Sequence, residues 1–317
     1  IFNTLLDLGR PQEALNHYQE ALEINKSLFK WENEERALLS HGIGDALVKL
    51  ERLPEALNYF QQALAIRKKL YQGDHDNLVH SLMLIGITLQ QLGKIEESVE
   101  YLIQGVEMKK RISHINDHPS SAIIMNRIGT GLQKQGKFQA AYDYFKQALE
   151  IQQRLYPEGH LDTATTLDNL SSVQCSLKKY HEAYDSMRQA LEIDKKICQG
   201  PHPHLASDLN AMGTILIELG KYDEALDFLN QSYEMKLKLY PKDHLEMAIS
   251  LGNFGQVYHL QKKFPEAKDY LKQALESYIK HIPIDDPLVQ AFVDMLIETL
   301  EQLGEADEAN KYRNYKK

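Results

Sequence analysis

Thirteen histidines and two cysteines are the side chains of this 317-residue chain best suited to hold a metal or attack a substrate. His202-Pro203-His204 is the most suggestive cluster, and His75, His118, His160, His202 and His244 recur at intervals of 43, 42, 42 and 42 residues. Each of these five stands in a connection that opens a helix, where an imidazole can bond the exposed backbone groups of the first turn. Equivalent positions in adjacent units lie about 10 Å apart, one interhelical spacing, whereas zinc holds its ligands at ~2 Å. The series is therefore expected to be structural, with no metal and no other cofactor. Cys175 and Cys198 are too few for a disulfide framework or a metal quartet and fit a reducing, cytoplasmic compartment. Cys175 falls on a helix and is expected to be an unactivated thiol. Glu34-Glu35 and Asp285-Asp286 open helices, where carboxylates favour the positive end of the dipole. Gly-x-Ser-x-Gly, Walker, His-Glu-x-x-His and Cys-x-x-Cys motifs are absent from the sequence. No catalytic residue is assigned, and an enzyme is not expected.

The elements that position these residues come from a repeat. Glu13-Ala14, Glu55-Ala56, Glu97-Ser98, Ala140-Ala141, Glu182-Ala183, Glu224-Ala225, Glu266-Ala267 and Glu308-Ala309 follow one another at 42, 42, 43, 42, 42, 42 and 42 residues. In one unit Leu205, Leu209, Met212, Leu216 and Leu219 are spaced by three and four, the mark of an amphipathic helix. Gly220 is its left-handed stop, and from Tyr222 to Leu239 the period resumes, so each unit is an antiparallel helix hairpin. The stop is Gly9, Gly93, Gly136, Gly220 or Gly304 but Glu51, Lys178 or Lys262 elsewhere. A left-handed side chain costs roughly 1 kcal/mol more than Gly, so those three turns should be slightly strained or differently shaped.

Small residues lie seven apart on each second helix: Ala14 and Ala21, Ala56 and Ala63, Ala141 and Ala148, Ala183 and Ala190, Ala267 and Ala274. Between them a bulky residue, Tyr18, Phe60, Leu102, Phe145, Met187, Leu229 or Leu271, fills the gap toward the neighbouring helix. Pro11, Pro54 and Pro265 fall in first helical turns and the other seven prolines in connections, so none interrupts a helix.

A net charge of −9 argues against a general nucleic-acid or anionic-membrane binder. No apolar run approaches the length of a membrane span. The chain opens at Ile1 inside a repeat, so it is read as a fragment of a longer protein. Residues 1–317 are read as one array: a partial leading unit at 1–30, about seven full pairs, and a short polar capping pair at 285–317.

The phrase Leu-Gly-Lys-Tyr-Asp-Glu-Ala-Leu at 219–226 and its equivalents, with an acidic-His or His-Pro phrase before each first helix, resembles the tetratricopeptide repeat. The resemblance is to the long 42-residue form of kinesin light chains and nephrocystin-like proteins, and it covers essentially the full chain. It implies an all-α fold, a right-handed α-solenoid of tandem antiparallel helix pairs whose first helices line a concave face. It also implies where groove residues stand, about thirteen, nine, six and two positions before each turn. That register selects Leu38, Gly42 and Asp45 in one unit, Arg127 and Lys134 in another, and Asn169, Ser172, Thr214, Asn253 and Gln256 further on. Asn169 and Asn253 match the family asparagine that bonds a peptide backbone, since an amide offers both donor and acceptor. Asn126 and Asn210 stand one residue earlier than that register. The lysine and arginine partners of the family's chaperone-tail clamp are replaced by Thr165, Ile249 and Ile123, so chaperone-tail binding is rejected.

Arg127 and Lys134 form a cationic step, and Glu218, Glu298 and Glu301 make the far end acidic. Solvation of a helix face accounts equally for those charges. The expected function is a non-enzymatic scaffold or adaptor that binds an extended peptide of a partner protein, with an acidic segment as a suitable guest. The alternatives are a sensor or substrate-recruiting arm of a larger enzyme or signalling ATPase, and self-association.

Overall fold

The computed structural model describes residues 2–112 and 119–315, with side chains from Leu5 onward. His118, one of the five periodic histidines, lies outside the described residues. The described chain is all α-helix, a solenoid of tandem helix pairs. It divides into two compact units, Ile1–Glu158 and Gly159–Lys317. The first holds α1 (Phe2–Asp7), α2 (Pro11–Leu28), α3 (Glu34–Lys49), α4 (Leu53–Leu70), α5 (Asp76–Gln91), α6 (Ile95–Ile112), α7 (Pro119–Lys134) and α8 (Phe138–Leu155). The second holds α9 (Leu161–Ser176), α10 (Tyr180–Ile197), α11 (Pro203–Glu218), α12 (Tyr222–Leu239), α13 (Leu245–Leu260), α14 (Phe264–Tyr278), α15 (Pro287–Gln302) and α16 (Ala306–Arg313). The odd-numbered helices are the first helices of their pairs. The leading unit contributes the six-residue α1 as well as a second helix, and the last pair ends in an eight-residue helix with Ala309 buried.

Helix starts follow the cap chemistry of the sequence. Nδ1 of His75, His160, His202 and His244 accepts a bond of 3.1 to 3.2 Å from the amide two residues on. Asn33 caps α3 and Asp286 caps α15 with side-chain oxygens, so imidazole here replaces the commoner oxygen acceptor. Pro119, Pro203 and Pro287, expected in connections, open α7, α11 and α15; a first turn has no use for the missing amide hydrogen.

The turns inside the hairpins share one shape. Gly220 has φ 72°, and Glu51, Lys178 and Lys262 take the same left-handed region at φ 59°. The hydrogen bonds match too: Arg52 N to Leu47 O and Lys221 N to Leu216 O are both 2.9 Å. Of the two expectations for these turns, strain rather than a different shape is what the side chains meet.

In five hairpins the bulky second-helix residue meets a glycine of the first helix. A Cβ on Gly44 would lie 2.4 Å from Phe60, one on Gly86 2.6 Å from Leu102, and one on Gly129 2.6 Å from Phe145. Gly213 and Gly255 stand the same way, 2.7 Å from Leu229 and Leu271. These bulky side chains are at most 2% exposed, and the alanines flanking them are buried except Ala21, which is half-buried in the leading unit. In α9 the equivalent position is Ser171, and its second-helix counterpart is the flexible Met187, also fully buried.

One position late in each second helix from α2 to α14 is buried: Asn25, Arg67, Lys109, Gln152, Asp194, Lys236 and Tyr278, at 42- or 43-residue spacing. Where it is a cation it is paired. Arg67 Nε lies 3.0 Å from Glu34 Oε1, and its Nη1 donates to Ser81 Oγ at 2.8 Å. Lys236 Nζ meets Glu246 Oε2 at 2.8 Å and donates to Ser250 Oγ at 3.2 Å, and Lys109 Nζ meets Asp76 Oδ1 at 2.6 Å. In each pair the cation is buried and the carboxylate is partly or largely exposed, so removing the carboxylate strands the cation.

The glycine contact yields a direct test. Gly129→Ala places a methyl inside the Phe145 ring, and overpacking of this kind costs roughly 1–3 kcal/mol. Chemical denaturation should show that loss, and the double variant Gly129→Ala with Phe145→Leu should recover part of it.

Candidate functional site

The positions expected to line a groove range from exposed, as at Leu38, Arg127 and Lys134, to buried, as at Gly42 and Asn253. Seven residues apart on α7, Arg127 and Lys134 are both exposed. Lys134 borders an open cleft of about 460 Å³ whose other walls include Lys94, Glu96, Glu97 and Lys137. The cationic step is therefore flanked by carboxylates as well as by further lysines. Gln90 Nε2 donates to the Arg127 carbonyl at 2.8 Å and ties α5 to α7 beneath it. Asn126, one residue before the register, is half-buried.

In the second unit Asn169 is half-buried and Ser172 exposed on α9. Asn253 differs from the sequence expectation: only 7% exposed, it donates from Nδ2 to Asn210 Oδ1 at 2.9 Å. The two amides therefore clasp each other between α11 and α13, and Asn253 has one donor fewer to offer a guest. Thr214 Oγ1 donates to Ala211 O at 2.8 Å within its own helix, so its hydroxyl hydrogen is spent. Gln256 is half-buried on the same face.

The sequence did not single out a pocket in the first unit. Tyr18, Glu35, Leu38, Leu39, His41, Gly42 and Asp45 line a cleft of about 380 Å³. His41 Nε2 lies 3.1 Å from Asp45 Oδ2, and its ring sits 4.8 Å from that of His80. Burial, then the neighbouring His41 and Arg67, pull the His80 imidazole below its ordinary range. Gly42 is buried beneath Tyr18, whose ring stands where its Cβ would be, so the floor of this cleft is aromatic. Leu38, Gly42 and Asp45 were legible from the register, but His41 and Tyr18 come from positions off it.

The two histidines of His202-Pro203-His204 separate by role. His202 caps α11, whereas His204, two residues on, turns toward α10 and pairs with Asp194. Cys175 is half-buried on α9, and its thiol is pushed up to about 11, chiefly by burial and further by Glu218. It is a thiol, not a thiolate, at neutral pH. No helix among the described residues is long and apolar enough to cross a membrane.

With this geometry in hand, comparison with known proteins gives the family. The tetratricopeptide repeat profile matches residues 3–69, 34–111, 120–196, 172–238 and 205–280. The chain belongs to the tetratricopeptide repeat family. Its fold is similar to that of BtubC (BKLC) from P. vanneervenii, at 18% identity over 73% of this chain and 94% of that one, with a TM-score of 0.63. It is also similar to a putative kinesin light chain of Podosopora anserina with nearly identical repeats, at 21% identity, 66% and 99% coverage and a TM-score of 0.58. A third similar structure is the APC/C hetero-tetramer Cut9-Hcn1, at 16% identity over 94% of this chain and 48% of that one, with a TM-score of 0.60. The search of curated proteins finds no match.

The Cys175 environment is open to chemical test. Alkylation by iodoacetamide at neutral pH, followed by peptide mass mapping, should label Cys175 roughly a hundredfold more slowly than free cysteine, because the thiolate is the reacting form. Labelling at the rate of free cysteine would show that the thiol is not held up.

Proposed function

We propose that this chain is a cytoplasmic, non-enzymatic scaffold whose open first-helix faces hold an extended segment of a partner protein. Repeat solenoids of this family mediate protein–protein interaction, and stacked pairs leave an elongated surface that suits a peptide better than a small molecule. The observation that carries the reading is the division of labour within each pair. The second helices spend their small and bulky residues on packing, while the first helices keep exposed side chains on their open face, Arg127, Lys134 and Ser172 among them.

The recognition chemistry differs between the two units. In the first, Arg127 and Lys134 would attract an acidic segment, and the aromatic-floored cleft beside Leu38 and His41 would take an apolar side chain. In the second, Asn169, Gln256 and the clasped pair Asn210 and Asn253 offer amide groups that can bond a peptide backbone without reading its side chains. Ordering a flexible peptide offsets much of the contact gain, so affinity should be modest.

The test is charge reversal. Arg127→Glu with Lys134→Glu should weaken binding of an acidic partner peptide by roughly tenfold or more and flatten its salt dependence. Both residues are exposed, so the circular-dichroism spectrum should stay unchanged. Unchanged affinity in a calorimetric titration would reject Arg127 and Lys134 as the recognition step.

A further inference from the structure

One junction between pairs reverses the chemistry of three others. At the buried second-helix position Asp194 stands where Arg67, Lys109 and Lys236 stand elsewhere. On the facing first helix Asp208 stands where Ser81 and Ser250 receive those cations. The first turn of α11 adds His204. One donor atom from each of Asp194, His204 and Asp208 lies within 4.8 Å of the other two. His204 Nδ1 is 2.5 Å from Asp194 Oδ2 and 3.8 Å from Asp208 Oδ2.

This cluster is not a solvated acidic patch. The side chains of Asp194 and Asp208 are 0% and 1% exposed, and that of His204 is 32% exposed. Asp194 Oδ1 and Asp208 Oδ2 are buried without a hydrogen bond. A buried carboxylate oxygen with no donor is costly, and one of the two, Asp208 Oδ2, lies 3.8 Å from the His204 ring nitrogen that Asp194 already holds through Oδ2. Asp168 on α9 adds a third carboxylate whose charge acts on both His204 and Asp208. A single imidazolium cannot balance this set.

We propose that the α10–α11 junction is a divalent transition-metal site in which Asp194, His204 through Nδ1, and Asp208 are the protein ligands. One nitrogen and two carboxylate oxygens suit zinc, whose tetrahedral sphere at ~2.0–2.2 Å sets ligand atoms about 3.3 Å apart. The His204–Asp194 contact would open slightly and the Asp208 contact would close to reach that spacing. Imidazole favours zinc and its neighbours over magnesium and calcium, which take all-oxygen cages. His204, whose side chain is 32% exposed, is the solvent-facing member of the cluster. The ion would clasp a second helix to the following first helix, as the Lys236 ammonium does at the next junction through Glu246 and Ser250. The spacing of about 10 Å between histidines of neighbouring units leaves open a site built from one histidine and aspartates of the two helices at a single junction.

The test uses the full chain, stripped with a chelator and dialysed, then titrated with zinc chloride by calorimetry and by thermal melting, with magnesium chloride in parallel. One zinc per chain should bind and raise Tm, and magnesium at the same concentration should do neither. Asp208→Ser installs the residue of the Ser81 and Ser250 junctions, so it should fold without metal and weaken zinc binding by roughly a hundredfold or more. His204→Ala should do the same, while His202→Asn, which keeps an oxygen cap on α11, should bind zinc as the parent does. Absence of stoichiometric zinc binding in the parent chain would overturn the proposal. So would undiminished binding in Asp208→Ser, or loss of binding in His202→Asn.

Discussion

The contact on which the hairpins depend is that of a ring or branched side chain against a bare first-helix backbone. Phe60 on Gly44, Phe145 on Gly129 and Leu229 on Gly213 close to distances at which no Cβ fits. Because the glycine removes its own side chain, the two helices approach until the flanking alanines are buried as well. Glycine in a helix interior costs roughly 1 kcal/mol of backbone entropy, and the buried bulky group more than offsets it at about 1.5–3 kcal/mol. Dense packing inside the hairpin is what frees the far side of each first helix to face outward.

A second layer of specification lies between hairpins and is polar. One late position of each second helix from α2 to α14 is buried, and where it is a cation its charge is matched by a carboxylate of a neighbouring first helix. Arg67 reaches Glu34 and Ser81, Lys236 reaches Glu246 and Ser250, and Lys109 reaches Asp76. Asp194 inverts this pattern and collects His204 and Asp208 about it. The pair α9–α10 departs from the repeat twice more, with Ser171 and Met187 at the close-packed contact and Lys178 in a left-handed turn.

Much of the fold was legible because it is periodic. The hairpin boundaries, the left-handed stops, the alanine pairs and the role of the histidine caps follow from a spacing of 42 residues and from helix-end chemistry. The first-turn positions of Pro119, Pro203 and Pro287 were missed because a proline in a connection and one at the first helical residue differ by one position. The candidate site was less legible. Register alone placed Arg127 and Lys134 on an open face, yet it could not show that Asn253 turns to Asn210, since that depends on the gap between α11 and α13. Nor could it bring Asp194 to Asp208, which are 14 residues apart on different helices. The sequence signal that could have found them is the repeat itself: aligning the late second-helix position shows an acid among cations.

If local packing and junction charge set the stability of each pair, protection should vary along an array whose helices look alike. Hydrogen–deuterium exchange resolved by helix, on the chelator-treated chain, measures this directly. The amides of α9, α10 and the first turns of α11 should exchange faster than their counterparts in α11, α12 and α13, where Gly213 receives Leu229 and Lys236 joins Glu246 and Ser250. Equal protection of the two sets would contradict the account.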